Sequence, residues 1–268
     1  MKNILIKIGG SVITDKHSDS GSIDAENLQR IVNVIARLKT QDRRLIIIHG
    51  AGSYAHPYMA KTEKKRGMYS CDVDNIRESM SELSAIISGA FSNAGIENFT
   101  DTLPENFCGK PEEWQGLVSR WVGKSEHSVP LLHGNVVLCK GNVLKISGDE
   151  LVEKIGSAWG KPLIVLVSKH PVCDKNPDFD GGAKVLSRIT PGVFDSLKNE
   201  ANQNTRRLED LKTPYPDATG SMLGKLEYLV RLAGGGIESY IVNIEGFEKI
   251  FDNPEKVLGC GNGTRICR

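Results

Sequence analysis

No charge of either sign accumulates in this chain: 34 lysines and arginines face 33 aspartates and glutamates, a formal surplus of +1. A balance this close leaves no global field to draw nucleic acid or an anionic membrane, so any affinity for anions must be built locally. Apolar runs of membrane-spanning length are missing too. The opening Met1-Lys2-Asn3-Ile4-Leu5-Ile6-Lys7 meets a lysine too early for a secretory leader, and a cytoplasmic protein is expected. The six cysteines, Cys71, Cys108, Cys139, Cys173, Cys260 and Cys267, form no CxxC and have no histidine neighbour at metal-ligand spacing. They are expected to be reduced thiols. Repeats, low-complexity tracts and long Pro/Gly/Ser-rich linkers are absent as well, so nothing separates autonomous domains. What is left is an ordinary globular composition, 39% hydrophobic and 25% charged over 268 residues, sufficient for one sizeable core.

One stretch stands out from that background. Leu45-Ile46-Ile47-Ile48 reads as a strand buried on both faces, and His49-Gly50-Ala51-Gly52-Ser53-Tyr54-Ala55-His56-Pro57 follows at once. A loop of small residues lets backbone N–H groups come close to an anion, since little side chain holds the ligand away. The chain opens with a matching unit, the strand Ile4-Leu5-Ile6-Lys7-Ile8 and the loop Gly9-Gly10-Ser11. Between the two, Asp24 is placed to cap a helix with Leu28, Ile31, Val32, Ile35 and Leu38 on one face. Strand, glycine loop, helix, strand and glycine loop make a βαβ unit whose two loops leave the same end of a parallel sheet. Their convergence makes a crevice for an anionic ligand.

Farther on, Asp74 to Ala94 carries Ile76, Met80, Leu83, Ile86, Ile87 and Phe91 at helical spacing. The cluster Lys61, Lys64, Lys65 and Arg66 reads as a solvated face. Phe99 to Ser128, with Phe99, Phe107, Trp114 and Trp121 among polar residues, is a candidate substrate-side lid. Val129 to Ile146 reads as a strand followed by a hairpin turning at Lys140-Gly141-Asn142. Ser147-Gly148-Asp149 caps a helix, and Leu163 to Val167 is another buried strand. Glu200 to Tyr215 is expected to be an exposed connection, Asp217 to Met222 to open a helix containing Lys225, and Tyr240 to Ile244 to be a strand.

Five segments now stand in order: Lys7 to Lys16, His49 to Pro57, Ser147 to Glu150, Asp217 to Met222 with Lys225, and Gly263-Thr264-Arg265-Ile266. Together they resemble the amino acid kinase family, and within it the isopentenyl phosphate kinase branch, close to the fosfomycin resistance kinases. The resemblance implies a three-layer αβα sandwich on a largely parallel central sheet. It implies an acceptor-binding and phosphoryl-transfer half at 1–160 and an ATP-binding half at 161–268 within one continuous domain, Mg²⁺ as the metal, and a homodimer. It places Lys7 at the transferred phosphoryl group, Gly9, Gly10 and Ser11 under the ATP phosphates, and Lys16 as a transition-state stabiliser. Ala51, Gly52 and His56 fall near the acceptor phosphate, Gly148 and Asp149 at acceptor and lysine-orienting contacts, and Gly220 and Lys225 on the nucleotide side. The chain departs from the pattern at Tyr54-Ala55 and at Asn135. It departs most at Ser168-Lys169-His170-Pro171-Val172, where relatives carry Thr-Asp-Val-Asp-Gly.

Those roles suit the chemistry. Phosphoryl transfer spreads charge over equatorial oxygens while two anions are held in line, so positioning, cations and backbone donors do the catalysis. The expected activity is phosphorylation of an acceptor that already bears a phosphate, isopentenyl phosphate first, with a tail pocket from the 74–94 helix. A phosphonate kinase and a non-catalytic nucleotide-binding protein of the same fold are the alternatives. A lysine inside a buried strand favours function, because an unpaired buried charge is costly.

Overall fold

The computed structural model describes residues 3–15, 21–41, 43–54, 70–178, 180–210 and 218–268, with the backbone alone at 70–71, 201–210 and 218–221. Eight strands form one sheet: β1 (Asn3–Ile8), β4 (Arg44–His49), β5 (Asn98–Asp101), β6 (Val129–His133), β9 (Leu163–Val167), β10 (Arg188–Ile189), β11 (Ser239–Val242) and β12 (Gly263–Ile266). Their order is β10-β12-β11-β9-β1-β4-β6-β5. β12 runs antiparallel to β11, and the other pairings are parallel. Strands from both halves of the chain therefore share one sheet, with β1 at its centre.

Alternation along β1 shows why helices cover both faces. Ile4, Ile6 and Ile8 belong to one buried cluster and Leu5 to another. On the Ile4 face pack α2 (Ala25–Thr40), α3 (Ser70–Asn93), α8 (Ile244–Lys249) and α9 (Pro254–Gly259). On the Leu5 face pack α4 (Pro111–Lys124), α5 (Gly148–Ala158), α6 (Pro191–Asp210) and α7 (Ala218–Gly234). The result is the expected three-layer sandwich. A one-turn helix, α1 (Gly10–Ile13), and the short pair β2 (Thr14–Asp15) and β3 (Ser22–Ile23) complete the first crossover. Asp24 caps α2 by accepting from the Asn27 N–H at 2.9 Å. The hairpin β7 (Asn135–Cys139) and β8 (Asn142–Ile146) turns through Lys140 and Gly141 at φ 50° and 81°, the pair of left-handed residues that a two-residue hairpin demands.

Four expectations need correction. The candidate lid at 99–128 holds strand β5 and helix α4; Phe107, Trp114 and Trp121 are core residues, with Phe107 edge-on to Trp114 at 4.8 Å. The exposed connection expected from Glu200 is, as far as Asp210, the end of α6, and 211–217 lie outside the described residues. The strand expected to reach Ile244 ends at Val242, because Asn243 caps α8 with its side chain. Cys108 and Cys139 are not free thiols: their Cα atoms lie 5.0 Å apart and a disulfide joins them. The pairing bridges 31 residues and depends on the hairpin folding back onto the segment before α4, which cysteine spacing does not reveal.

Candidate active site

From β1 the chain steps through β4 to β6 in one direction, and from β9 to β11 in the other. The boundary between β1 and β9 is thus a topological switch point, where open α/β sheets leave a crevice beyond the strand C-termini. Both glycine loops lie there. The Gly9 N–H donates to Val167 O of β9 at 2.8 Å, and the Gly50 N–H donates to Ile8 O at 2.8 Å. A Cβ on Gly10 would sit 2.1 Å from the Gly52 nitrogen, so the loops touch backbone to backbone and side chains are excluded by contact. Gly52 adopts φ +53° and packs on Thr14, whose hydroxyl donates to Gly10 O at 2.9 Å and accepts from the Ser53 N–H at 3.0 Å. Ala51, Gly52 and the Gly9-Gly10-Ser11 loop are brought together as expected.

Lys7 points from β1 to the α5 side, and its ammonium pairs with Asp149. The side chains are only 8% and 17% exposed, so both charges depend on the pairing. Helix α5 is held there by Ser147, whose hydroxyl accepts from the Glu150 N–H at 3.1 Å. Asp149 is therefore free of the capping role that its position in the sequence allows. At Gly148 a Cβ would come within 3.3 Å of Lys7 Cε, and at Gly134 within 2.7 Å of the Gly148 nitrogen. Lys7, Gly148, Asp149 and the two loops form one constellation.

Beside it lies a buried polar cluster that the sequence did not announce. His49 and His133 are register partners on β4 and β6, with rings 5.3 Å apart. The His49 Nδ1 faces Gly50 O at 3.2 Å and its Nε2 faces the Ser84 hydroxyl at 2.7 Å, so a neutral ring donates to the carbonyl and accepts from the serine. Burial drives His49 down to about 3, His133 adding to the effect and the Gly50 carbonyl opposing it. Burial lowers His133 as well, with Arg77 of α3 pushing the same way. The Arg77 Nη1 is buried and makes no hydrogen bond among the described residues. Asn135, also buried, donates to the Thr102 hydroxyl at 2.9 Å.

The apolar stripe of α3 divides. Leu83, Ile87 and Phe91 are core residues against the sheet, with Ile86 packed beside them. Val73, Ile76 and Met80 form a separate cluster with Val136, flanked by Ala51, Leu138 and Val143. The wall adjoining the loop at Ala51 is thus the N-terminal part of α3 with the hairpin.

On the other side, the loop after β9 is tied down by the Ser168 N–H to Val242 O at 2.8 Å and the Val172 N–H to the Thr264 hydroxyl at 3.0 Å. Between these anchors, Lys169 Nζ lies 2.5 Å and His170 Nε2 3.2 Å from the same Asp178 Oδ1. The lysine's hydrogen bond chiefly holds the Asp178 carboxyl below its usual range. Gly220 and Lys225 lie on α7, which contacts α5 through the Arg231–Glu153 ion pair at 2.6 Å. Lys16 and His56 lie outside the described residues.

A three-layer α/β fold with paired glycine loops and a buried lysine–carboxylate pair at the switch point defines a class of phosphate-handling proteins. The amino acid kinase family model matches residues 2–243, and the chain belongs to that family. It is 29% identical to the isopentenyl phosphate kinase of Methanothermobacter thermautotrophicus, over 90% of each chain. The fold is shared with a product complex of the T. acidophilum isopentenyl phosphate kinase, at TM-score 0.73 and 20% identity over 98% of this chain and 99% of the other. It is shared equally with carbamate kinase from Giardia lamblia, at TM-score 0.67 and 13% identity over 100% and 98%.

Proposed function

We propose that this chain is an ATP-dependent kinase that phosphorylates a small acceptor already carrying a phosphate, with isopentenyl phosphate the first candidate and isopentenyl diphosphate the product. The observation that carries this reading is the buried Lys7–Asp149 pair set between two interlocked glycine loops. In the step itself an acceptor phosphate oxygen attacks the γ-phosphorus in line, the bond to the bridging oxygen breaks, and ADP leaves. Lys7 neutralises charge on the transferred group while Asp149 fixes its direction. The N–H groups of Gly10 and Ser11, in the first turn of α1, face the donor phosphates, since a helix start leaves its first donors unpaired. Ala51, Gly52 and Gly148 line the acceptor side, and Gly220 and Lys225 the nucleotide side. Lys16 and His56 take their roles, a second cation and an acceptor-phosphate donor, from the family resemblance.

Among the described residues no cluster of three or more His, Cys, Asp or Glu side chains could hold a metal. Mg²⁺ is inferred from the kinase reading, as an ion carried largely by the nucleotide phosphates, where it would neutralise charge between donor oxygens. We assign residues 1–160 to acceptor and transfer and 161–268 to nucleotide binding. We further infer a homodimer in the cytoplasm, where the thiol pool would act on the Cys108–Cys139 bond. Among the described residues no helix is long and apolar enough to cross a membrane.

A second reading, a phosphonate kinase for a polar acceptor, is favoured by Arg77, His133 and Asn135 on the acceptor side. ADP release from Mg-ATP, challenged with isopentenyl phosphate, dimethylallyl phosphate, fosfomycin and small phosphonates, separates the two. Turnover confined to prenyl phosphates supports the first reading, and turnover confined to phosphonates replaces it with the second. ATP binding with no turnover on any acceptor would favour a non-catalytic nucleotide-binding protein.

A further inference from the structure

The loop after β9 places a cation, Lys169, directly beyond the end of a central strand. Ser168 lies against the donor loop: its Cα is 3.8 Å from where a Gly9 Cβ would be, and the preceding Val167 carbonyl accepts the Gly9 N–H. Lys169 is therefore one residue beyond a direct contact with the loop assigned to the donor phosphates. It also stands at the C-terminal end of β9, one of the two strands that bound the switch point.

The backbone is pinned on both sides of this lysine, at Ser168 and at Val172, and Pro171 restricts the residue before it. The side chain is not pinned in the same way. Its partner Asp178 is shared with His170, and the Lys169 and Asp178 side chains are 54% and 41% exposed. Ion pairs so open to water are weak and exchange readily. A triphosphate offers an ammonium more negative charge and more acceptor oxygens than one carboxylate does.

We propose that Lys169 is a further ATP-binding residue of this chain, which leaves Asp178 for an oxygen of the β- or γ-phosphate when the nucleotide binds. This rests on the donor-site reading given above. Asp178 then acts as a competitor for the lysine and a local repulsion toward the phosphates, with His170 remaining as its partner. A lysine at this position strengthens donor binding at the end that carries the charge, away from the base.

Titration calorimetry of the full chain with ATP, ADP and AMP in the presence of Mg²⁺, with no acceptor, tests this. Lys169→Met is expected to weaken ATP binding tenfold or more and to leave AMP within twofold, while Lys169→Arg retains most of the affinity. Asp178→Asn is expected to have the opposite sign, tightening ATP two- to fivefold. If Lys169→Met and Asp178→Asn weaken all three nucleotides alike, the pair only staples the loop and the proposal is wrong. Unchanged ATP affinity in Lys169→Met overturns it equally. A wild-type chain that binds no nucleotide rejects the donor-site reading itself, so the two failures are told apart.

Discussion

Lys7 carries the heaviest demand on any single side chain, since it is both the proposed phosphoryl contact and half of a buried ion pair. Lys7→Met is expected to lower turnover by at least 10²-fold in an ADP-release assay, comparable to losing one preorganised charge donor. It also leaves Asp149 buried without its cation, at a cost of about 3 kcal/mol in chemical denaturation. Retention of wild-type turnover would remove Lys7 from the reaction. His49 makes a different prediction. Its ring is held neutral at about 3, below the value near 6.5 of an unfolded histidine, so between those values the unfolded chain binds more protons. Stability is then complete above about pH 6.5 and falls with acid, by about 2 kcal/mol at pH 5 from this group alone. Thermal unfolding at pH 7.5 and pH 5 measures the drop. His49→Gln, which can still bond Ser84, should flatten the acid side of the curve.

At the scale of elements, α3 has two functions along one apolar stripe. Leu83 is fully buried against the sheet, and Leu83→Ala should cost about 2–5 kcal/mol with little change in acceptor KM. Ile76, in the small cluster beside Ala51, should instead raise KM for a prenyl phosphate when truncated to alanine. Equal effects on KM from both variants would mean that the tail binds elsewhere. The stripe was legible because period 3.6 is written in one helix; its division was not, because it depends on which end overhangs the strand C-termini. The same contrast runs through the molecule. β1, β4, α2 and both glycine loops could be read from local signals such as Asp24, the Ile runs and the Gly spacing. The Lys7–Asp149 pair was legible through family resemblance, since 142 residues separate its members. The His49–His133 contact, Arg77 beside it and the Cys108–Cys139 bond arise only from register and packing between distant strands. The aromatic segment 99–128 misled because Trp114 and Trp121 sit among charges in the sequence but on one buried face of α4.

For the whole molecule, the disulfide ties the β7–β8 hairpin to the segment before α4. Both cysteines are partly exposed, and a 31-residue closure corresponds to about 3–4 kcal/mol in the chain-entropy account. Cys139→Ser, or wild type in excess thiol, should therefore melt several degrees lower than the oxidised chain. Identical melting curves with and without reductant would mean that the bond adds nothing to stability.

The central position of β1 has a consequence for synthesis. The strand that carries Lys7 is made long before its second neighbour, β9, which begins at Leu163. At usual translation speeds Lys7 waits on the order of 7 to 30 s for Asp149 to be made. Until β9 arrives, one side of β1 is an open edge of unpaired backbone groups. The strand that holds Lys7 thus stays open to a wrong partner from its own synthesis until that of β9, across more than half of the chain.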